Sequence, residues 1–563
     1  MKRKIGEIIY KVSKSNISKD DIIKCLEVPP NDEMGDYALP CFKLANTFKQ
    51  SPTIIAENLY KQILNEKTPI LDKVVNIGGY LNFYLDKNFY SNFMFSKLND
   101  LIEARKATKK IKIVEFASPN TNKPLHLGHL RNLSIGESIS RIYEFSGDKV
   151  FRVNLNNDRG IHICKSMLAY MKYGGNQTPE NSNIKSDHFV GDYYVLFNEK
   201  SKTDKNLENE ARELLKAWES ENEEVHKIWK KMNEWALEGF KETYKKFGIS
   251  FDKEYHESGI YKTGKKIIKD GLQKKVFYKK NDGAIAVDLE KENLGEKIVL
   301  RADGTSIYIT QDLSLVKIKN KDFHPDESIY VVGNEQNYHF RVLETITKKL
   351  FDQDKCIIKH LSYGMVELPD GKMKSREGNV IDADDFIEEL EKISKEYLKE
   401  RWDLNEMELN TRSHKIALAA IKYNLLCSDI EKNMIFNSSK AIKFEGETGP
   451  YLLYSYARAS SILNKTNDPL FTGNIIDVTA SELELIKKMY EFKKVISFVC
   501  DSAAISSLAK YGFELAKKFN EFYNKTPVLK SSRQQFRVQL VRYFSKIIHT
   551  VLYLLGIEAI EKM

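Results

Sequence analysis

No Cys-x-x-Cys pair occurs in the 563 residues, which excludes a zinc ribbon at the outset. The six cysteines, Cys25, Cys41, Cys164, Cys356, Cys427 and Cys500, are too scattered for a disulfide framework and read as reduced thiols. No protein-bound zinc is expected, and no site residue is assigned to a metal. No stretch approaches the ~20 apolar residues that a membrane-spanning helix needs. The basic opening Met-Lys-Arg-Lys is not followed by the apolar run of a secretion signal. The expectation is a cytoplasmic chain with no membrane partner. What is present, 42% hydrophobic and 30% charged residues, describes a globular protein of roughly three to four domains. The formal charge of +9 suits a polyanionic partner without requiring one.

Three regions follow from the patterning. Residues 1–109 mix helical periodicity, as at Thr53 to Leu64, with an alternating strand, Tyr80 to Leu85, behind Gly78 and Gly79. Residues 110–440 hold strand candidates at Ile111 to Phe116, Val150 to Leu155, Ser328 to Val332 and Ile357 to Val366, separated by helical patterns. The economical reading is an α/β domain, a doubly wound parallel sheet. A charged insert at about 165–261 interrupts it, with Leu207 to Phe247 reading as helix and carrying Trp218, Trp229 and Trp235 as packing residues. Residues 441–563 are almost continuously helical in period and read as an all-α bundle.

The most informative stretch runs from Glu115 to Arg131 and ends in His126-Leu-Gly-His129. It leaves a strand and opens a helix with apolar residues at Leu130, Leu133, Ile139 and Ile142. A helix start offers free N–H groups and a favourable dipole for an anion. Gly128 allows close approach to the backbone, and the two histidines add donors. A helix start with two chance histidines is the plain alternative.

A second loop, Leu368-Pro-Asp-Gly-Lys-Met-Lys-Ser-Arg-Glu-Gly-Asn379, follows a late strand. Pro369, Asp370 and Gly371 make a turn, and Lys372, Lys374 and Arg376 supply cations that could close over a transient charge. A solvated basic loop is the alternative.

Taken together and in this order, the two loops resemble the signatures of class I aminoacyl-tRNA synthetases. A nucleotidylyltransferase of the same superfamily would be a much shorter chain. Glu115 to Pro124, which fits Glu-Phe-x-Ser-Pro-Asn-x-x-Lys-Pro, the Tyr308-Ile-Thr-Gln-Asp312-Leu segment, and Val332 to Phe340 with Gln336 and His339 resemble the arginyl-tRNA synthetase family. The resemblance implies a Rossmann-like catalytic domain, an α+β N-terminal added domain that contacts tRNA, and a helical anticodon-binding domain. It implies ATP, L-arginine and tRNA(Arg) as substrates, Mg²⁺, a monomer, and amino acid activation that needs bound tRNA. In its terms Tyr308 and Asp312 would hold the guanidinium, a group that wants planar, fixed acceptors. Asn120 and Gln336 would hold the α-amino end, with Glu115 shaping an acidic pocket. ATP would meet Pro124, His126, Gly128, His129, Lys372, Lys374 and Ser375, and Lys123 would replace a lysine that many members carry in the second loop. Another class I synthetase, or a non-catalytic RNA-binding relative, is the competing reading.

Near the ends, Gly35 to Ala45, Gly78 to Phe83, Glu447 to Arg458 and Leu555 to Met563 also resemble the family, so the likeness spans nearly the whole chain. Cations from Lys517 to Arg542 interleave with Phe519, Phe522, Tyr523 and Tyr543, a mix that suits single-stranded RNA or, equally, a core with a basic outer face. One departure lies after the second strand. Many members read Gly-Asp-Trp-Gly there, whereas this chain reads Asn156-Asn-Asp-Arg-Gly160.

Overall fold

The computed structural model describes residues 1–13, 17–66, 68–103, 107–304, 307–351, 356–369 and 381–563. Contacts divide the chain into two units: Met1–Leu101 with Thr466–Glu491 and Lys518–Tyr543, and Ile102–Lys465 with Phe492–Lys517 and Phe544–Met563.

In the first unit, β1 (Tyr37–Pro40), β2 (Leu71–Ile77) and β3 (Tyr80–Leu85) form an antiparallel sheet in the order β1-β3-β2. Gly78 and Gly79 join β2 to β3 with φ of 56° and 87°. Two successive positive φ angles make the two-residue hairpin turn, and glycine adopts them without strain. The helices Lys2–Val12 and Pro52–Asn65 bury Ile5, Ile9, Ile55 and Leu59 in one core with Leu81 and Phe83. Ser51 caps the second helix, its Oγ accepting from the Ile54 N–H at 3.4 Å.

The second unit is built on five parallel strands in the order β11-β10-β4-β5-β6. In chain order these are β4 (Ile111–Glu115), β5 (Lys149–Asn156) and β6 (Lys253–His256). A small antiparallel sheet of β7 (Tyr278–Lys279), β8 (Ile285–Leu289) and β9 (Gly295–Leu300) follows, then β10 (Glu327–Gly333) and β11 (Ile357–Tyr363). The chain runs outward from β4 to β5 and β6, then returns to place β10 on the other side of β4. The order reverses between β4 and β10, and a crevice opens at such a point beyond the strands' carboxyl ends. Tyr330 pairs with Glu115 there.

Three elements differ from the sequence reading. The span read as an insert, about 165–261, contains β6, which pairs in parallel with β5 and so belongs to the sheet. The strand Ile357 to Val366 is broken at Gly364, whose amide donates to the Ile430 carbonyl at 2.8 Å. A Cβ on Gly364 would lie 2.4 Å from the Lys432 backbone. The remainder forms β12 (Val366–Glu367), paired in parallel with β13 (Met434–Ile435). The long insert helix is in fact two, Asn206–Glu219 and Glu223–Phe247. Glu221 turns the chain at φ 62° and the Asn222 side chain caps the second helix.

Beyond residue 448, the described residues form the helices Gly449–Leu463, Ala480–Tyr490, Phe492–Ser502, Ile505–Lys525 and Gln534–Leu554. Phe519 and Phe522 are fully buried and Tyr543 nearly so. Arg533 and Arg537 are paired with the buried Glu482. These rings are therefore core, and of the four aromatics named in that stretch only Tyr523 is exposed. No helix among the described residues is long and apolar enough to cross a membrane.

Candidate active site

The first signature sits at the carboxyl end of β4. Leaving the strand, the backbone passes through two left-handed residues that are not glycine, Ala117 at φ 76° and Ser118 at φ 47°. Such conformations cost about 1–3 kcal/mol each and persist only where the surroundings enforce them. Here two buried asparagines do so. Asn132 Oδ1 accepts the Ala117 N–H at 2.6 Å, and Asn154 Oδ1 accepts that of Ser118 at 3.0 Å. Asn132 also donates to the Val331 carbonyl at 2.7 Å, so one amide ties the loop to β10. Gly136 lets the helix Leu127–Phe145 lie against Phe116, whose Cγ would be 2.3 Å from a Cβ at that position.

His126 precedes the helix and His129 lies one turn in, their rings 3.9 Å apart. His129 Nδ1 accepts the His126 N–H at 3.1 Å. That bond fixes the neutral tautomer, so the His129 proton sits on Nε2. Burial first, then neighbouring cationic groups, lowers both pKa values: His126 to about 4, with Lys123 beside it, and His129 well below 6.5. Both are neutral donors at pH 7. Gly128 leaves room for the His126 ring, which would be 3.0 Å from a Cβ there. Lys123 and Pro124 rest on the insert helix Ser186–Lys200, where Gly191 admits them: a Cβ would lie 2.7 Å from Pro124 Cδ and 3.6 Å from Lys123 Cα.

Lys372, Lys374 and Ser375 lie outside the described residues. The flanks of their loop are described, and the first signature holds both. Arg131 is fully buried and gives its guanidinium to four carbonyls: Gly364 (2.5 Å) and Met365 (2.9 Å) ahead of the loop, and Ile430 (3.2 Å) and Lys432 (3.0 Å). Behind the loop, the Leu127 amide donates to the Ile381 carbonyl at 2.9 Å and the Ala383 amide to that of Leu125 at 3.0 Å. The roles of Arg131, Asn132, Asn154 and Gly191 were not read from the sequence. A polar residue inside an apolar helix pattern was the only signal for the first two.

The opposite wall is the helix Tyr308–Phe323, with Tyr308 and Asp312 in its first turn and four apart. Tyr308 is 78% exposed. Asp312 Oδ2 is 2.5 Å from His339 Nε2, on the helix that follows the Asn334–Gln336 turn and its exposed Gln336. Asn120 is also exposed, at the carboxyl edge beside Asn157. Glu115 is 5% exposed and paired with the buried Lys319 at 2.8 Å. Burial works against the Lys319 charge, and Glu115 with Tyr330 outweighs it, so the lysine pKa is raised. The pair anchors the helix that carries Asp312 to β4.

Glu257, which the sequence reading passed over, begins the short helix after β6. Burial foremost, with added repulsion from Asp158 and Asp312, pushes its pKa up to about 7 against the pull of Arg159. The Asn157-Asp158-Arg159 departure is also accounted for. Asp158 accepts from Ser258 N at 2.8 Å and Oγ at 2.7 Å, and Trp229 of the insert donates to the Asp158 carbonyl at 2.6 Å. Arg159 stacks over Tyr261 at 4.3 Å and Trp218 at 5.4 Å. Two indole rings of the insert thus pack on this segment, and Trp229 is a hydrogen-bond donor as well as a packing residue.

A parallel sheet with its crevice at β4/β10, a His-x-Gly-His helix start there, and a second loop tied to it define a class I aminoacyl-tRNA synthetase. Residues 92–438 match the family described as "tRNA synthetases class I (R), catalytic domain", residues 1–85 the arginyl tRNA synthetase N terminal domain, and residues 452–563 the DALR anticodon binding domain. The chain is 41% identical over 583 residues to the arginine–tRNA ligase of Borrelia duttonii, covering 100% of this chain and 99% of that one. It is 44% identical over 557 residues to that of Treponema denticola, covering 96% and 94%. The Thermus thermophilus arginyl-tRNA synthetase structure matches with a TM-score of 0.80 over 100% of both chains, at 24% identity. The chain belongs to the arginyl-tRNA synthetase family.

Proposed function

We propose that this chain joins L-arginine to ATP and passes the arginyl group to the terminal ribose of tRNA(Arg), with bound tRNA required for the first step as well as the second. In the first step a carboxylate oxygen of arginine attacks the α-phosphorus and pyrophosphate departs. In the second a ribose hydroxyl attacks the acyl carbon and AMP departs. No side chain serves as nucleophile, so the protein's part is placement and charge.

The neutral imidazoles of His126 and His129 donate to phosphate oxygens, next to the Lys123 ammonium. Pro124 and Gly128 shape the loop that carries them, and Lys372, Lys374 and Ser375 of the second signature add their charge and hydroxyl to the same phosphates. The described groups lining this loop are imidazoles and a lysine rather than the oxygen ligands Mg²⁺ prefers, so Mg²⁺ would be held by the triphosphate and would neutralise its charge. The one described grouping of metal-type ligands, Asp187, His188 and Asp384, already has the Lys185 ammonium 3.2 Å from Asp187 and 2.7 Å from Asp384. We therefore assign Mg²⁺ to no side chain.

Tyr308 and Asp312, with Glu257 beside them, receive the guanidinium. Asn120 and Gln336 receive the α-amino end, with Glu115 shaping the acidic pocket. The observation that carries this reading is Asp312 in the first turn of the helix Tyr308–Phe323, which the Glu115–Lys319 pair ties to β4 beside the β4/β10 crevice. Asp312 is met by the His339 imidazole, which a planar guanidinium can displace. A different amino acid in the same pocket is the rival reading. Aminoacylation of total tRNA with each amino acid in turn decides between them, arginine alone giving charged product. Pyrophosphate exchange with arginine and ATP in the complete absence of tRNA would refute the tRNA requirement. The chain works as a monomer, which light scattering on the purified protein tests.

A further inference from the structure

The second unit contains a cavity of about 330 Å³ that the synthetase reaction leaves unused. Arg141, which lines it, lies on the same helix as His129 but about 20 Å further along at 1.5 Å per residue. Lys245, Lys246, Lys415 and Lys422 also face the cavity, with His414 and His549, against a single carboxylate, Glu558.

Most of these cations are already answered. Glu558 is 2.5 Å from Lys415, Glu388 is 3.1 Å from Lys246, Glu391 is 2.7 Å from His414, and Glu137 is 2.6 Å from Arg141. Lys245 is exposed and has no ion pair among the described residues. Lys422 is the exceptional group. Only 4% exposed, it donates to the Gly556 carbonyl at 2.7 Å and lies over the Phe247 ring at 4.7 Å. An ammonium carries three donors, and a buried charge normally finds a counter-charge. Gly248 and Gly556, both at φ 73°, border it: a Cβ on either would come within 3.7 Å and 3.9 Å of Nζ.

We propose that this cavity is an oxyanion site in which Lys422 and Lys245 hold a phosphate group. Burial, with the nearby Arg141 charge, pushes the Lys422 pKa down to about 7 against the pull of Glu137 and Glu558, and neither carboxylate is within ion-pair distance of its ammonium among the described contacts. The phosphate belongs either to a small phosphate-bearing ligand or to the backbone of bound RNA. Both present the same oxygens.

The test is calorimetric titration of inorganic phosphate into the full chain and into three variants. Binding is expected to survive His126→Ala, which alters the ATP cleft, and to weaken about tenfold or more in Lys422→Met and Lys245→Glu. Should Lys422→Met fail to fold, Lys245→Glu on the exposed rim carries the measurement. Binding that disappears in His126→Ala and persists in the lysine variants places the phosphate in the ATP cleft and overturns the proposal. So does the absence of binding at tens of millimolar phosphate. Affinity for tRNA then separates the sources. A parallel loss in Lys245→Glu, with phosphate competing against tRNA, identifies an RNA phosphate; unchanged tRNA affinity identifies a small ligand.

Discussion

The two walls of the cleft are built by opposite means. On the nucleotide side, the left-handed turn at Ala117 and Ser118 is held by Asn132 and Asn154, and buried Arg131 bonds four carbonyls around the second loop's base. On the side proposed for arginine, Tyr308 and Gln336 stand in solvent and Asp312 is met by the displaceable imidazole of His339. The contrast follows from the ligands. A phosphate reacts where donors are already fixed, so the protein bears that ordering cost on folding. A guanidinium is recognised by acceptors that must remain available until it arrives.

The largest effect should come from the available side. Asp312→Ala is expected to lower kcat/KM for arginine by about 10⁴-fold while ATP binding is retained, because a site built to bond a polar group discriminates by that order. Unchanged arginine kinetics would remove Asp312 from the pocket. Arg131→Met tests the fixed side. It leaves four carbonyls without their donor and should destabilise the protein by roughly 3 kcal/mol. A shift of about 1 Å in the loops would cost some 10²-fold in rate. Denaturant melts with steady-state kinetics measure both, and loss of stability with full activity would separate Arg131 from the cleft.

A smaller effect concerns Glu257. Its pKa of about 7 lies above the ordinary 4.5, so near neutrality part of the population holds a proton that an arriving guanidinium displaces. Arginine affinity should therefore rise with pH through about 7 and then level, with proton release detectable by calorimetry in buffers of different ionisation heat. In the free protein the sign is reversed. The folded state binds the extra proton between 4.5 and 7, so this group's contribution to stability is full at low pH and declines as pH rises through that window. Glu257→Gln should abolish both dependences. The smallest effect is at Trp229→Phe, where one hydrogen bond to the Asp158 carbonyl is lost. It should cost about 1 kcal/mol and leave arginine affinity nearly unchanged. A large loss of affinity would make the insert part of the arginine wall.

The sequence by itself determined the periodic and punctuated features. The strand at Tyr80–Leu85 behind two glycines, four of the five parallel strands, the His-x-Gly-His helix start and the helical C-terminal region all rest on spacing between near neighbours. Tyr308 and Asp312 opening one helix was legible for the same reason, since four residues make about one turn. Only the tertiary structure decided what depends on residues far apart in the chain: that Glu115 meets Lys319, that Arg131 reaches Gly364 and Ile430, that Trp229 bonds the Asp158 carbonyl, and that Glu257 pairs with Arg159. A buried polar group takes its partner from whichever segment packs against it, and no local pattern encodes that choice.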